Sequence, residues 1–315
     1  MIFRYIILVI AGVVFICGCS ISKLAVDSFA NALGSEASTI FTGEDDPELV
    51  GDALPFALKL YESLLEKAPD NIQLNIATGK AFAMYAYAYV QSPAERLGNA
   101  QLDRKKEQML RAKKLYIRAR NYLLTALDLR YPGFRTQVLD GSSDSALMRV
   151  SVADTTALYW TGMTWAGAIM ADKFDFDMLL SLKRAIGCID RVAALDDAFG
   201  NGAVHEFYIS YYGGMPASMG GDEAKARSHF EKAISLSKGK SAAPYIALAT
   251  TVSVNRQDLA EFRKLLDTAC SIDVSEPSAV RLANIIGQRR ARWFLEHTGE
   301  YFLIDETPPG PLQPE

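Results

Sequence analysis

The spacing of apolar residues constrains this chain more than any other feature, because beyond residue 19 they recur at steps of three and four. Long alternating runs rich in β-branched residues are scarce. Steps of three and four place side chains on one face of an α-helix, whereas a half-buried strand needs a period of two. With 50% of 315 residues hydrophobic, the chain can bury a large core. The sequence therefore predicts an all-α fold.

A repeat pattern refines this prediction. Small, aromatic and proline residues follow the spacing of a tetratricopeptide unit, in which small residues let antiparallel helices approach and proline ends a helix. A weaker copy lies at 226–233. We expect four or five tetratricopeptide-like helical hairpins forming one compact α-solenoid body over residues 19–306, followed by a disordered tail at 307–315. The positions that carry the first copy are Ala57, Tyr61, Leu64 and Pro69, then Gly79 and Phe82.

The first nineteen residues have the layout of a secretory signal. Arg4 precedes an apolar run that ends at Gly18-Cys19, and this run is short for a membrane span. The stretch Ile16-Cys17-Gly18-Cys19 resembles a bacterial lipobox. We therefore expect residues 1–18 to be a lipoprotein signal peptide and Cys19 to be lipidated, so that acyl chains hold the chain at a membrane. The alternative is an uncleaved signal anchor with Cys19 buried at the interface.

Composition and failed motifs exclude several classes of function. The 33 basic and 37 acidic residues give no basic field, so we expect no nucleic-acid partner. Four cysteines without a CxxC pair and three histidines predict neither a disulfide framework nor a metal site. Ile234 replaces the first glycine of a P-loop before Gly239-Lys240-Ser241, and Ile209 replaces the second histidine of H-E-x-x-H. We expect no catalytic residues and no cofactor.

Several ordered blocks of the sequence carry a resemblance to a known family. The chain resembles the T-components of tripartite ATP-independent periplasmic (TRAP) transporters from about Cys19 to Leu303. The blocks are DDPELVGDALPFALKLYESLLEKAPDN, YAYAYV, LYWTGMTWAGAI, HEFYISYYGGMPASMGG, SKGKSAAPYIALATTVSVNRQDLAEFRKLL and NIIGQRRARWFL.

This resemblance implies a periplasmic lipoprotein that associates with the transporter's substrate-binding P-component. It also implies a homotrimer in which each protomer carries a pore for a small apolar or amphipathic ligand. The resemblance brings no catalytic motif. The alternative, from a different class, is an envelope scaffold of tetratricopeptide type that holds peptides or assembly factors.

Candidate binding residues fall into four sets, and each set has a structural alternative. The tetratricopeptide register predicts an inner binding face. Aromatic rings with polar tips suit either a channel or a core, and a glycine-flanked methionine loop suits either a soft lip of a pore or a tight turn. An arginine pair suits either an acidic partner or the bracing of a terminal helix. In that order the residues are Gln73, Ile76, Lys80 and Met84; Tyr85, Trp160, Trp165, Tyr208, Tyr211 and Tyr212; Met215 and Met219; and Arg289 and Arg290.

Overall fold

The computed structural model describes residues 40–303, and every regular element in that range is a helix. The all-α prediction is confirmed. Cys19, the expected signal peptide and the expected tail lie outside the described residues. Two compact units divide the chain, with 40–197 described in the first and 198–303 in the second. Between residues 40 and 303, no helix combines the length and the apolar character needed to cross a membrane.

The first unit begins where its sequence supplies a cap. The Asp46 side chain accepts a hydrogen bond from Leu49 N at 3.0 Å, and Pro47 takes the first helical position, as the acidic pair before this proline predicts. A π-helical segment at Ala86–Gln91 joins α2 to α3. The helices are α1 (Pro47–Leu65), α2 (Ile72–Tyr85), α3 (Ser92–Glu95), α4 (Leu102–Arg130), α5 (Phe134–Asp140), α6 (Ser143–Met148), α7 (Thr155–Ala171), α8 (Phe176–Leu180) and α9 (Leu182–Leu195).

Long helices that follow one another in the first unit pack antiparallel. Gly79 of α2 faces Leu123 of α4, whereas Gln91, further along the chain, accepts a hydrogen bond from Tyr116, which comes earlier in α4. A Cβ at Gly79 would lie 2.5 Å from Leu123 Cγ, so only glycine permits this approach. The predicted role of this small residue is therefore confirmed.

Breaks in the helical pattern of the sequence predict loops or elaborations at 91–111 and 131–145, but both stretches are partly helical. Residues 102–111 of the stretch 91–111 belong to the 29-residue helix α4. The stretch 131–145 contains the seven-residue helix α5. This helix is bounded on one side by Gly133 (φ 80°) and on the other by Gly141 (φ 100°), whose left-handed backbones cannot continue it. The breakers in this second stretch therefore bound a short helix.

The second unit contains α10 (Phe199–Gly214), α11 (Glu223–Ser237), α12 (Ala243–Leu248), α13 (Leu259–Cys270) and α14 (Arg281–Glu296). The backbone of α10 is not helical at residues 200–202, and a π-helical segment, Ala249–Ser253, continues α12. Buried Asn284 of α14 accepts from Ala242 N at 2.9 Å and donates to Lys240 O at 2.8 Å. These two bonds fix the start of α12 against α14. Phe262 and Leu266 are among the side chains buried in this unit's core.

Candidate functional site

The residues that the sequence singles out for binding are divided between the two units. Gln73, Ile76, Lys80, Met84, Tyr85, Trp160 and Trp165 lie in the first unit. Tyr208, Tyr211, Tyr212, Met215, Met219, Arg289 and Arg290 lie in the second.

The face of α2 that the repeat register selects is only partly exposed. Ile76, Lys80 and Met84 are half-buried, while Gln73 is exposed. Tyr85, one residue further on, stacks on Tyr89 with ring centroids 5.9 Å apart. These side chains form a shallow face of mixed polarity, and their role in binding stays a prediction.

The two tryptophans of α7 have different surroundings. Trp160 is half-buried and packs against the core cluster that includes Phe82. Trp165 is 1% exposed, donates from Nε1 to Ser181 Oγ at 2.7 Å, and has the Arg120 guanidinium carbon 4.5 Å from its ring centroid. Trp165 therefore braces other groups in this conformation and does not reach solvent.

Aromatic rings in the second unit form a stacked column between α10 and α11. Tyr208 and Tyr212 lie 5.8 Å apart, and both stack on His229, at 4.6 and 5.6 Å. His229 stacks in turn on His205 at 5.1 Å. Tyr211 stacks on Phe207 and lies tilted against Tyr212, with ring centroids 5.0 Å apart. One end of the column, Tyr212, lies beside the loop that follows α10.

The glycine-rich loop between α10 and α11 is tight for two separate reasons. A Cβ at Gly213 would lie 2.5 Å from Thr251 Oγ1, and a Cβ at Gly221 would clash with the Met215 carbonyl. Gly220 has the positive φ of 98° that the turn needs. Asp222 N then donates to Tyr212 O at 2.9 Å, which closes the loop. Tight packing explains why Gly213 and Gly221 are glycines, whereas positive φ explains Gly220.

This loop borders a cavity of about 250 Å³. Two of the predicted residues, Tyr212 and Met215, line it, whereas the exposed Met219 does not. Its full lining is Tyr212, Gly213, Met215, Ala217, Gly221, Asp222, Glu223, Val252, Asn255 and Arg256.

The charges at the cavity are paired. Glu223 accepts hydrogen bonds from Arg227 Nε and Arg256 Nη1, both at 2.9 Å, and the bond from Arg227 contributes most to holding the pKa of Glu223 below its usual range. Asn255 Nδ2 donates to Gly213 O at 2.8 Å. The cavity therefore combines an apolar wall with a neutralised polar rim, which suits a small, mainly apolar group. Among the described residues, no group of three or more His, Cys, Asp and Glu side chains could hold a metal ion.

The predicted arginine pair lies elsewhere, on α14. Arg289 is exposed, and the Arg290 guanidinium carbon is 5.6 Å from the ring centroid of Phe294 in the same helix. Neither arginine lines the cavity.

Exposed apolar side chains near α8 were not predicted. Phe174, Phe176 and Leu180, hereafter the apolar segment, are 86%, 71% and 83% exposed. Large side chains this exposed and this close in sequence are unusual on a water-facing surface unless something binds there. Their sequence, Phe-Asp-Phe-Asp-Met-Leu-Leu, has the pattern of an ordinary helix N-terminus. Nothing in it indicates that these side chains are exposed.

Lys113 of α4 pairs with two aspartates next to the apolar segment. Its Nζ lies 2.7 Å from Asp172 Oδ2 and 2.6 Å from Asp175 Oδ2. Burial disfavours the Lys113 charge, but the hydrogen bonds to the two aspartates outweigh it and raise the pKa of Lys113. Asp175 also caps α8 by accepting from Met178 N at 3.0 Å. The pairing of Asp172 and Asp175 therefore holds the backbone of the apolar segment in place.

Comparison with known proteins matches the chain to one family model and to one relative. The sequence model of the family described as TRAP transporter T-component matches residues 43–302. The chain is also similar to a protein of Treponema pallidum (strain Nichols) that is described as uncharacterized. The two are 30% identical over 302 residues, which cover 91% of this chain and 94% of the relative.

Proposed function

We infer that this chain, because it belongs to the TRAP transporter T-component family, works as a non-catalytic subunit of such a transporter. The observation that carries this conclusion is the family match, which spans residues 43–302 and so nearly all of the described chain. The proposal includes a periplasmic location, with acyl chains on Cys19 as the tether to a membrane. It also includes a tetratricopeptide-like order of the helical pairs and a trimeric assembly.

The proposed partner is the substrate-binding P-component of the transporter, and the proposed contact is the apolar segment. Phe174 and Phe176 offer large apolar rings, and aromatic residues, phenylalanine among them, are enriched at protein interfaces. The pairing of Lys113 with Asp172 and Asp175 favours binding, because a backbone that is already ordered loses little entropy when a partner docks.

The proposed ligand is small and apolar or amphipathic, and we propose that it contacts the cavity beside Met215 on its way through the protein. Tyr212, Met215 and Val252 supply an apolar wall, and Asn255 and Arg256 supply polar atoms at the rim. A flexible methionine adapts to ligands of different shape. A passage that leads onward from this cavity is part of the proposal.

Three experiments test these points. Native purification of the lipidated protein, followed by mass spectrometry, should recover a binding protein together with a retained small molecule. A Val252→Trp substitution, which fills the cavity, should remove the small molecule but leave the binding protein in place. Recovery of outer-membrane assembly factors or peptides, with no binding protein, would contradict the transporter proposal and favour the scaffold. Globomycin treatment that leaves maturation unaltered would contradict the tether.

A further inference from the structure

The outward face of α1 carries a row of apolar side chains. Leu49 and Phe56 are 57% and 75% exposed, Ala53 between them is exposed, and Leu60 is half-buried. These four residues are hereafter the α1 seam. The opposite face of the same helix is buried in the first unit, so the seam faces away from the described core. Large apolar side chains aligned on one exposed helix face indicate a surface that binds another group.

The spacing of the α1 seam determines which shape can cover it. Its positions follow one another at steps of four, three and four residues, which is the spacing of a coiled-coil seam. Such a seam takes one further helix lengthwise, and at 1.5 Å per residue it is about 17 Å long. A row of four side chains is much smaller than the roughly 800 Å² per partner that a stable dimer buries. A single short helix of the same chain therefore fits the seam better than a second copy does.

The part of the chain that precedes the described residues contains a matching pattern. Val26, Phe29 and Leu33 recur at steps of three and four, which is the spacing of one face of a helix. Ser22 and Gly34 are residue types favoured at the start and the end of a helix. The sequence thus predicts an amphipathic helix over 23–33, about 17 Å long. A helix this short is marginal in water and needs an apolar surface for its stability.

The connection to α1 brings this segment close to the seam. Only residues 34–46 separate it from Pro47, where α1 begins. A tether of this length holds the segment at a high effective concentration beside α1. Short connections between helices favour antiparallel packing, and the long helices α2 and α4 of the same unit pack in that way.

Antiparallel packing also matches the sizes of the side chains. With the connected ends of the two helices together, Phe29 falls opposite Ala53, and Val26 falls opposite Phe56. Each large ring then meets a smaller side chain, as interdigitated packing requires. In parallel packing the two phenylalanines would instead fall opposite each other, and valine would fall opposite alanine. The alternation of sizes therefore favours the antiparallel arrangement.

We propose that residues 23–33 form a helix that packs antiparallel on the α1 seam. The packing itself does not depend on the proposed function. Together with the proposed tether at Cys19, it leaves only residues 20–22 between the acyl chains and a helix fixed to the first unit. The C-terminal half of α1 is then held close to the membrane, and the unit does not hang on a long linker.

Disulfide cross-linking in the mature chain tests this packing. The chain carries Cys19→Ala, so that it has no acyl chain and the result is independent of the tether. Phe29→Cys together with Ala53→Cys should form a disulfide within one chain on mild oxidation, identified by mass spectrometry of the linked peptides. Asn31→Cys with Ala53→Cys is the matched control. Because residue 31 falls on the opposite face of the predicted helix, this pair should link at least about 10-fold less.

Thiol labelling of Ala53→Cys alone gives a second measurement, which decides the matter where neither pair links. A maleimide should react at least about 10-fold faster when Phe29→Ser is added, because the packed helix detaches, whereas Asn31→Ser should leave the rate unchanged. Equal labelling rates with and without Phe29→Ser would overturn the proposal, and so would a disulfide that forms between chains. Labelling that slows only when phosphatidylcholine vesicles are added would assign the seam to a membrane surface and overturn it too.

Discussion

His205 and His229 face each other across α10 and α11, with their Nδ1 atoms 2.8 Å apart. A hydrogen bond between these atoms requires that one nitrogen carry the hydrogen and the other accept it. The pair therefore tolerates one proton at this contact but not two. His205 is buried, and the Tyr208 and Tyr212 rings stack on His229, so neither imidazole can turn away without disturbing the aromatic column.

The histidine contact predicts a loss of stability when one partner is removed. Replacing His229 by Ala removes the Nδ1–Nδ1 hydrogen bond to buried His205 and takes a ring out of the aromatic column. We expect the free energy of unfolding in urea to fall by about 1–3 kcal/mol. Unchanged stability in His229→Ala would contradict this prediction.

Glu206 predicts that stability depends on pH. Burial raises the pKa of this carboxyl to about 7 from an ordinary 4.5, although Ser241 Oγ donates to it at 2.8 Å. The folded state therefore holds a proton that the unfolded state has released, and stability falls as pH rises from about 4.5 to about 7. Glu206→Gln should stabilise by about 2 kcal/mol at pH 8 and by little at pH 4.5. The exposed Glu231→Gln should change neither value, and an equal gain at both pH values would refute the assignment.

Gly213 predicts a steric effect at the cavity. Its replacement by Ala would bring a Cβ to 2.5 Å from Thr251 Oγ1 and 2.9 Å from Val252 Cγ2. We expect a loss of about 1–3 kcal/mol, because the π-helical segment must shift. Gly98→Ala, where nothing lies within 4 Å, should change stability by less than about 0.5 kcal/mol. Chemical unfolding of both variants measures the difference; equal stabilities would mean that the loop yields freely.

Lys113 predicts a local change in dynamics. Its replacement by Met removes the bridge to Asp172 and Asp175 but leaves the apolar segment intact. Amide hydrogens of residues 172–178 should then exchange faster, because α8 loses its anchor. Lys59→Met serves as the control, since Lys59 is exposed and pairs with Glu62 of its own helix. Unchanged exchange rates in Lys113→Met would show that the aspartates hold the segment without the lysine.

Much of the fold is predictable from local patterns. The three-and-four spacing predicts the helices, Asp46-Pro47 predicts the start of α1, and Gly79 predicts a close helix pair. The helix within 131–145 could not be predicted, because Gly133 and Gly141 mark breaks in the chain but do not reveal what lies between them. The division into two units depends on which helices pack together, and no local pattern carries that information.

The candidate site was predictable only in part. Tyr212 stands out as a ring with a polar tip and Met215 as part of a glycine-flanked loop, and both line the cavity. The sequence does not distinguish Trp165 from a solvent-accessible tryptophan, yet in the structure Ser181 and Arg120 cover its ring. Exposure of Phe174 likewise follows from tertiary packing, since a phenylalanine beside aspartates is as common in a core as on a surface.

The central claim is tested most directly by the affinity of the mature chain for the substrate-binding P-component of a TRAP transporter from the same organism, measured by calorimetry. We predict a defined stoichiometry for the wild type, and a Kd at least about 10-fold weaker when Phe174 and Leu180 are both changed to Ser. Phe56→Ser, at a phenylalanine 75% exposed in α1, should bind like the wild type. No heat of binding for the wild type at about 100 μM of either protein, with both proteins folded, would contradict the account.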